Sequence, residues 1–160
     1  MSVEKIVQTL VLVHTHPKIL LGMKKKGFGK GRWNGFGGKV ESGETIEEAA
    51  YREMLEESGV VVSKLEKMGV IEFRFRGKPF FVEMHVFRTS SFEGTPKESD
   101  EMRPEWFDIN AMPYEEMWSA DRFWFPVFLE GAPFTAKVFF DENDQVTEHS
   151  IKKHYQFSFL

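Results

Sequence analysis

Glu53, Glu56 and Glu57 stand at i, i+3 and i+4 in a stretch rich in helix formers. At about 100° per residue, three such carboxylates share one arc of a helix roughly 100° wide. Ile46, Ala49 and Ala50 fall on the same side, so the acids do not occupy a purely solvated face. Clustered carboxylates repel, and partial burial worsens the repulsion. A hard divalent cation relieves both, because Mg²⁺ prefers oxygen ligands and keeps water or phosphate in its shell. The chemistry these residues suggest is therefore a metal–phosphate site.

Just upstream, Gly35, Gly37 and Gly38 supply backbone that a ligand or ion can approach closely. This loop is basic, with Lys24, Lys25, Lys26, Lys30, Arg32 and Lys39 and no acid between them. The following segment is acidic, with Arg52 its one base between Glu41 and Glu57. Charge alone also fits ordinary solvated loops and helix faces. No Walker A motif fits, since Gly38-Lys39 is followed by Val40. No dinucleotide fingerprint fits either, since Gly29 and Gly31 lead to Asn34.

The elements that must position these groups are legible in part. Residues 6–13 and 18–23 read as strands joined by His14-Thr15-His16-Pro17. Thr45 with Glu48 forms a capping box, residues 46–58 a helix, and Gly59 its stop. Residues 68–75 and 80–89 read as strands around Gly77-Lys78-Pro79, and 102–109 as another. Residues 114–129 read as partly helical, with Pro126 predicting a break or kink. Residues 138–140 and 146–149 read as a final hairpin. Strands interleaved with two helical regions predict an α/β fold, a mixed sheet with helices on both faces.

Composition bounds the rest. With 160 residues, 41% hydrophobic and 17 Phe, the chain supports one core and one domain. There is no cysteine, which excludes disulfides, thiol nucleophiles and Cys-based metal sites. A net charge of −4 argues against a general nucleic-acid-polymer binder. No apolar run approaches a membrane span, and no signal peptide precedes the first strand. The expectation is a cytoplasmic monomer, with a mitochondrial or nuclear fraction left open. His14 and His16 alternate without an evident third ligand, so they predict no zinc site.

The spacing from Gly38 through Glu44 to Arg52-Glu53-Met54-Leu55-Glu56-Glu57-Ser58-Gly59-Val60 resembles the Nudix box, G-x5-E-x7-R-E-U-x-E-E-x-G-U. Every fixed identity is present, and Met54 stands where another aliphatic is usual. The likeness extends to Gly27-Phe28-Gly29, to Arg32-Trp33-Asn34-Gly35-Phe36-Gly37-Gly38-Lys39-Val40, to Glu98-Ser99-Asp100-Glu101-Met102-Arg103-Pro104 and to Trp124-Phe125-Pro126. It covers most of residues 5–140 and is similar to the branch of the family that hydrolyses oxidised purine nucleoside triphosphates. The segment 149–160 remains unplaced.

That resemblance implies an α/β/α sandwich and Mg²⁺-dependent cleavage to a monophosphate and pyrophosphate. It implies Glu53, Glu56, Glu57, Glu101 and the Gly37 carbonyl as metal ligands, with Glu57 or Glu101 accepting a proton from water. Glu44 and Arg52 would brace loop and helix. For the base it implies a pocket of Thr9, Phe28, Asn34, Phe73, Phe75, Trp118 and Asp121, with Lys24, Phe36, Gly37, Gly38 and Lys39 also near substrate. Independently, aromatic faces suit purine stacking, and Asn34 both donates and accepts. Phe73 and Phe75 equally suit plain core packing.

One position departs from the family pattern: Ala120 precedes Asp121 where two aspartates are usual. A guanine-type edge presents donors, and leaving one unpaired costs ~1–3 kcal/mol. The expectation is weakened selection for 8-oxo-dGTP relative to substrates such as 2-oxo-dATP. Two alternatives stay open, hydrolysis of another nucleoside diphosphate-linked substrate and a non-catalytic nucleotide-binding module.

Overall fold

The computed structural model describes residues 2–154. Its first strand, β1 (Glu4–Thr15), alternates strictly between two cores. Leu10 and Leu12 point into one, Val11 and Val13 into the other. A turn leads to β2 (Lys18–Lys24), where Ile19 and Leu21 join the first core and Leu20 the second. The pair stays together only from Val13↔Leu20 to Thr15↔Lys18. Beyond that the strands part, and the glycine-rich segment fills the gap.

Within that segment β3 (Trp33–Asn34) pairs with β2, and residues 36–40 zip onto the vacated edge of β1. The Thr9 amide donates to the Gly38 carbonyl at 2.9 Å, and Val11 and Phe36 exchange amide–carbonyl bonds. Helix α1 (Ile46–Ser58) follows, with the expected capping box and with Gly59 left-handed at its end, φ 74°.

The chain continues through β4 (Val61–Val62), β5 (Glu66–Phe75), β6 (Phe80–Thr89), β7 (Phe92–Glu93) and β8 (Met102–Asp108). Then come a short 3₁₀ turn at Tyr114–Glu116, α2 (Asp121–Leu129), β9 (Phe134–Phe140) and β10 (Val146–Lys153). The main sheet runs β10-β9-β5-β6-β1-β2-β3, with β8 also on β2; β4 and β7 form a small separate ribbon. The β1–β6 and β5–β9 pairs are parallel, so the sheet is mixed. Ala50 and Met54 of α1 pack on one face, and Trp124, Phe125 and Phe128 of α2 on the other. This is the expected sandwich.

Two expectations shift. The region 114–129 is helical in parts, as expected, in the 3₁₀ turn and in α2, but α2 continues through Pro126 without a break. Burial of Trp124, Phe125 and Phe128 offsets the lost amide donor. The last hairpin is longer than its apolar core suggests, and residues 149–153 of the unplaced tail complete β10. The rest of that tail, 155–160, lies outside the described residues.

Candidate functional site

A cavity of about 230 Å³ opens where β1 and β2 part. One end is made by the glycine segment and α1. The other is aromatic. The site begins with Gly37: a Cβ there would collide with the Thr9 carbonyl oxygen, so only glycine lets this segment lie on β1. With the segment in place, the Gly37 amide donates to Glu57 Oε1 at 2.9 Å. A Cβ at Gly38 would come 2.8 Å from the Glu53 carboxylate, so the loop and helix touch there too.

Arg52 ties this region together. Its Nε and Nη2 donate to the Glu44 carboxylate at 2.7 and 2.8 Å, its Nη1 to Glu53 at 2.8 Å and Glu56 at 3.3 Å. Nη2 also donates to the Lys39 carbonyl. These contacts make Arg52 and Glu44 the brace between loop and helix. The guanidinium bonds, with the Glu41 amide, hold the Glu44 carboxyl down at about 2.

Glu57 is 3% exposed and lines the cavity. Burial pushes its carboxyl up to about 8, against the pull of the Gly37 amide and the Lys24 charge. Lys24 Nζ stands 3.8 Å from Glu57 and 3.7 Å from Glu101, which arrives from the loop before β8. Glu53 is also raised by burial, with Arg52 opposing. Glu56 is the outlier of the group, largely exposed and turned to Arg52.

Among the described residues no three acidic or histidine side chains already close around an ion. Arg52 holds Glu53 and Glu56, while Lys24 and the Gly37 amide hold Glu57. The donor set nevertheless fits a hard divalent cation: it is all oxygen, and after burial the charges of Glu53 and Glu101 add to the upward shift at Glu57, as those of Glu56 and Glu101 do at Glu53.

The aromatic end is built from distant elements. Phe28 lies 5.1 Å from Trp118 and 5.8 Å from Phe75, ring centre to ring centre. Phe28 is 64% exposed, unusual for so large an apolar ring. Asn34 and Asp121 supply the polar groups. Asn34 Oδ1 accepts from the Gly35 amide at 2.9 Å, which leaves its NH₂ side to face a ligand. Asp121 Oδ1 accepts from Trp124 Nε1 at 3.0 Å, while Oδ2 is buried with no hydrogen-bond partner among the described residues. Burial raises the Asp121 carboxyl to about 7.

Of the candidate substrate residues, Thr9, Lys24, Phe28, Asn34, Gly37, Gly38, Lys39, Phe73, Phe75, Trp118 and Asp121 all line this cavity. Phe36 does not. It is fully buried in the core beneath α1, because alternation along the segment turns its ring to the face opposite the cavity. Ala120 is fully buried and does not line the cavity either. Sequence reasoning missed Gln8, Met84, Trp124 and Phe140 in the lining. Phe140 sits beside Phe75 because β9 pairs with β5 in parallel register, a neighbour that only strand order reveals.

Comparison with known proteins agrees with this architecture. The chain is 52% identical over 143 residues to the oxidized purine nucleoside triphosphate hydrolase of Danio rerio, covering 89% of this chain and 92% of that protein. It is 48% identical over 145 residues to the Mus musculus protein of the same name, covering 91% and 93%. The crystal structure of the mutator MutT protein from Bacillus halodurans superposes with a TM-score of 0.79 over 92% of this chain and 97% of that one, at 24% identity. Residues 5–128 match the NUDIX domain, and with the glycine segment, Arg52 brace and helix carboxylates in place, the chain belongs to the NUDIX family.

Proposed function

We propose that this chain hydrolyses oxidised purine nucleoside triphosphates, releasing the monophosphate and pyrophosphate. The observation that carries the reading is one continuous cavity with Trp118, Asn34 and Asp121 at its base-binding end and Glu57 at its acidic end. Its volume, about 230 Å³, and its aromatic walls suit a purine. The high identity to two curated hydrolases of oxidised purine nucleoside triphosphates supports the same substrate class.

Nudix hydrolases generally act with a divalent metal. Here the ion would be Mg²⁺, and Glu53, Glu56, Glu57, Glu101 and the Gly37 carbonyl would hold it, where it would supply charge to offset the triphosphate oxygens. The chain's own residues do the rest. Arg52, locked by Glu44, orients Glu53 and Glu56. Glu57 or Glu101 accepts the proton of the attacking water. Lys24 and Lys39, both on the cavity wall, meet phosphate charge. Trp118 and Phe28 stack on the base, the Asn34 amide donates to an edge acceptor, and Asp121 Oδ2 meets an edge polar group. Without a carboxylate at position 120, a purine with an exocyclic amine at position 6, such as 2-oxo-dATP, gains on 8-oxo-dGTP.

The test is pyrophosphate release with Mg²⁺ from 8-oxo-dGTP, 2-oxo-dATP, dGTP and dATP, for the native chain and Glu57→Gln. The expected result is preference for the oxidised substrates, with turnover lost in the variant by about 10²–10⁴-fold. Binding without turnover in the native chain would favour a nucleotide-binding module. Turnover of a nucleoside diphosphate-linked compound alone would move the activity elsewhere in the family.

A further inference from the structure

Trp118 carries a cation on its ring. The Arg32 guanidinium carbon lies 4.2 Å from the indole centre. Trp118 lines the cavity and Arg32 does not, so the guanidinium meets the site through the indole and through its charge, which opposes the upward shift of the neighbouring Asp121 carboxyl. Arg32 is itself tethered: its Nη2 donates to Asp144 Oδ2 at 3.3 Å. Asp144 sits in the turn between β9 and β10 with φ 61°, a left-handed residue fixed from two sides. Its carbonyl accepts from Ser119 Oγ at 2.8 Å, and the same Oγ accepts from the Val146 amide at 3.2 Å. Ser119 is the residue next to Trp118. The turn therefore holds both the indole backbone and the cation on its ring.

A cation on one face of an aromatic ring draws on its π density, the electrostatic basis of the cation–π attraction. The ring then becomes a better acceptor toward whatever stacks on its other side. An added oxo group makes a purine a better π donor. We propose that Arg32, tethered by Asp144, is a specificity-determining positioning residue, which acts through Trp118 to favour oxidised over unmodified purines. The inference rests on the functional reading above and deepens it. Hydrogen bonds at the base edge select by donor and acceptor pattern, whereas this device selects by electron richness and by ring orientation.

The experiment uses the intact chain and free nucleosides, which carry no phosphate for Arg32 to attract. Affinities for 8-oxo-deoxyguanosine and deoxyguanosine are measured by calorimetric titration for the native protein, Arg32→Met, Arg32→Lys and Asp144→Asn, with thermal melts to confirm folding. Arg32→Met is expected to weaken binding of the oxidised nucleoside by roughly three- to tenfold and of the unmodified one by less. The preference ratio then falls by about threefold. Arg32→Lys keeps the charge and retains most of the ratio, and Asp144→Asn moves it in the same direction as Arg32→Met. With the oxidised triphosphate, KM rises in Arg32→Met while kcat holds. An unchanged ratio in folded Arg32→Met, or equal loss for both nucleosides, overturns the inference and leaves the functional reading intact. Absence of any oxidised-purine preference in the native protein overturns that reading, and this inference with it.

Discussion

The carboxylates of the site differ more in environment than in chemistry. Glu57 is buried, takes the Gly37 amide and lines the cavity; Glu56, one residue earlier, is exposed and leans on Arg52. Glu56→Gln is therefore expected to lower turnover by no more than a tenth of what Glu57→Gln costs, a contrast read from kcat at saturating Mg²⁺. At the aromatic end Asp121 keeps one oxygen bonded to Trp124, its other has no partner among the described residues, and Ala120 beside it in sequence is buried. Ala120→Asp is expected to raise kcat/KM for 8-oxo-dGTP relative to 2-oxo-dATP by about ten- to a hundredfold, the worth of one satisfied buried donor. An unchanged ratio would show that residue 120 does not reach the base. The helix acids and the glycines were legible from type and spacing, whereas Glu101 and the pocket aromatics were legible only through the family resemblance. Phe36 departs from the expectation because a pleated segment alternates, which turns its ring into the core while Gly35 and Gly37 line the cavity.

Helix α1 was readable to its ends because its signals are local: a Thr45–Glu48 box, acids in the first turn, and Gly59. Thr45→Ala is expected to cost about 1 kcal/mol in denaturant unfolding and to leave the active-site contacts in place, since the cap lies at the far end from Glu57. Gly37→Ala is different in kind. The added methyl meets the Thr9 carbonyl, so the segment must leave β1 and the Glu57 partner with it. The expected loss is about 1–3 kcal/mol of stability together with most of the turnover. Strand β10 resisted reading because its residues are mostly polar and exposed: it is a sheet edge, ordered by backbone bonds to β9 rather than by an apolar face. In α2 the opposite held, since tertiary burial of Trp124 and Phe128 overrode the local signal of Pro126. No helix among the described residues is long and apolar enough to cross a membrane.

At the scale of the molecule, the two raised carboxyls make stability depend on pH. Asp121 and Glu57 ionise near 7 and 8 in the fold, against about 4 in an unfolded chain. The native state therefore holds their protons longer. The stability they contribute is complete below about pH 4 and is lost as pH rises through 7 to 8. Melting of the metal-free protein is expected to fall by several degrees, roughly, between pH 5 and pH 9, and Asp121→Asn should remove part of that slope. Carboxyls shifted the other way, such as Glu83 and Asp141, act only at the acid end. By itself the sequence determined the acid helix, its caps, the glycine approach and the family, because each depends on residues within a few turns of one another. The tertiary structure alone decided that β1 and β2 part to open a cavity, that Phe140 joins its aromatic end while the Asp144 turn braces Arg32 and Ser119 beside Trp118, and that the Glu57 and Asp121 carboxyls are buried. Those properties come from strand order and burial, which arise between segments far apart in the chain and leave no periodic trace in it.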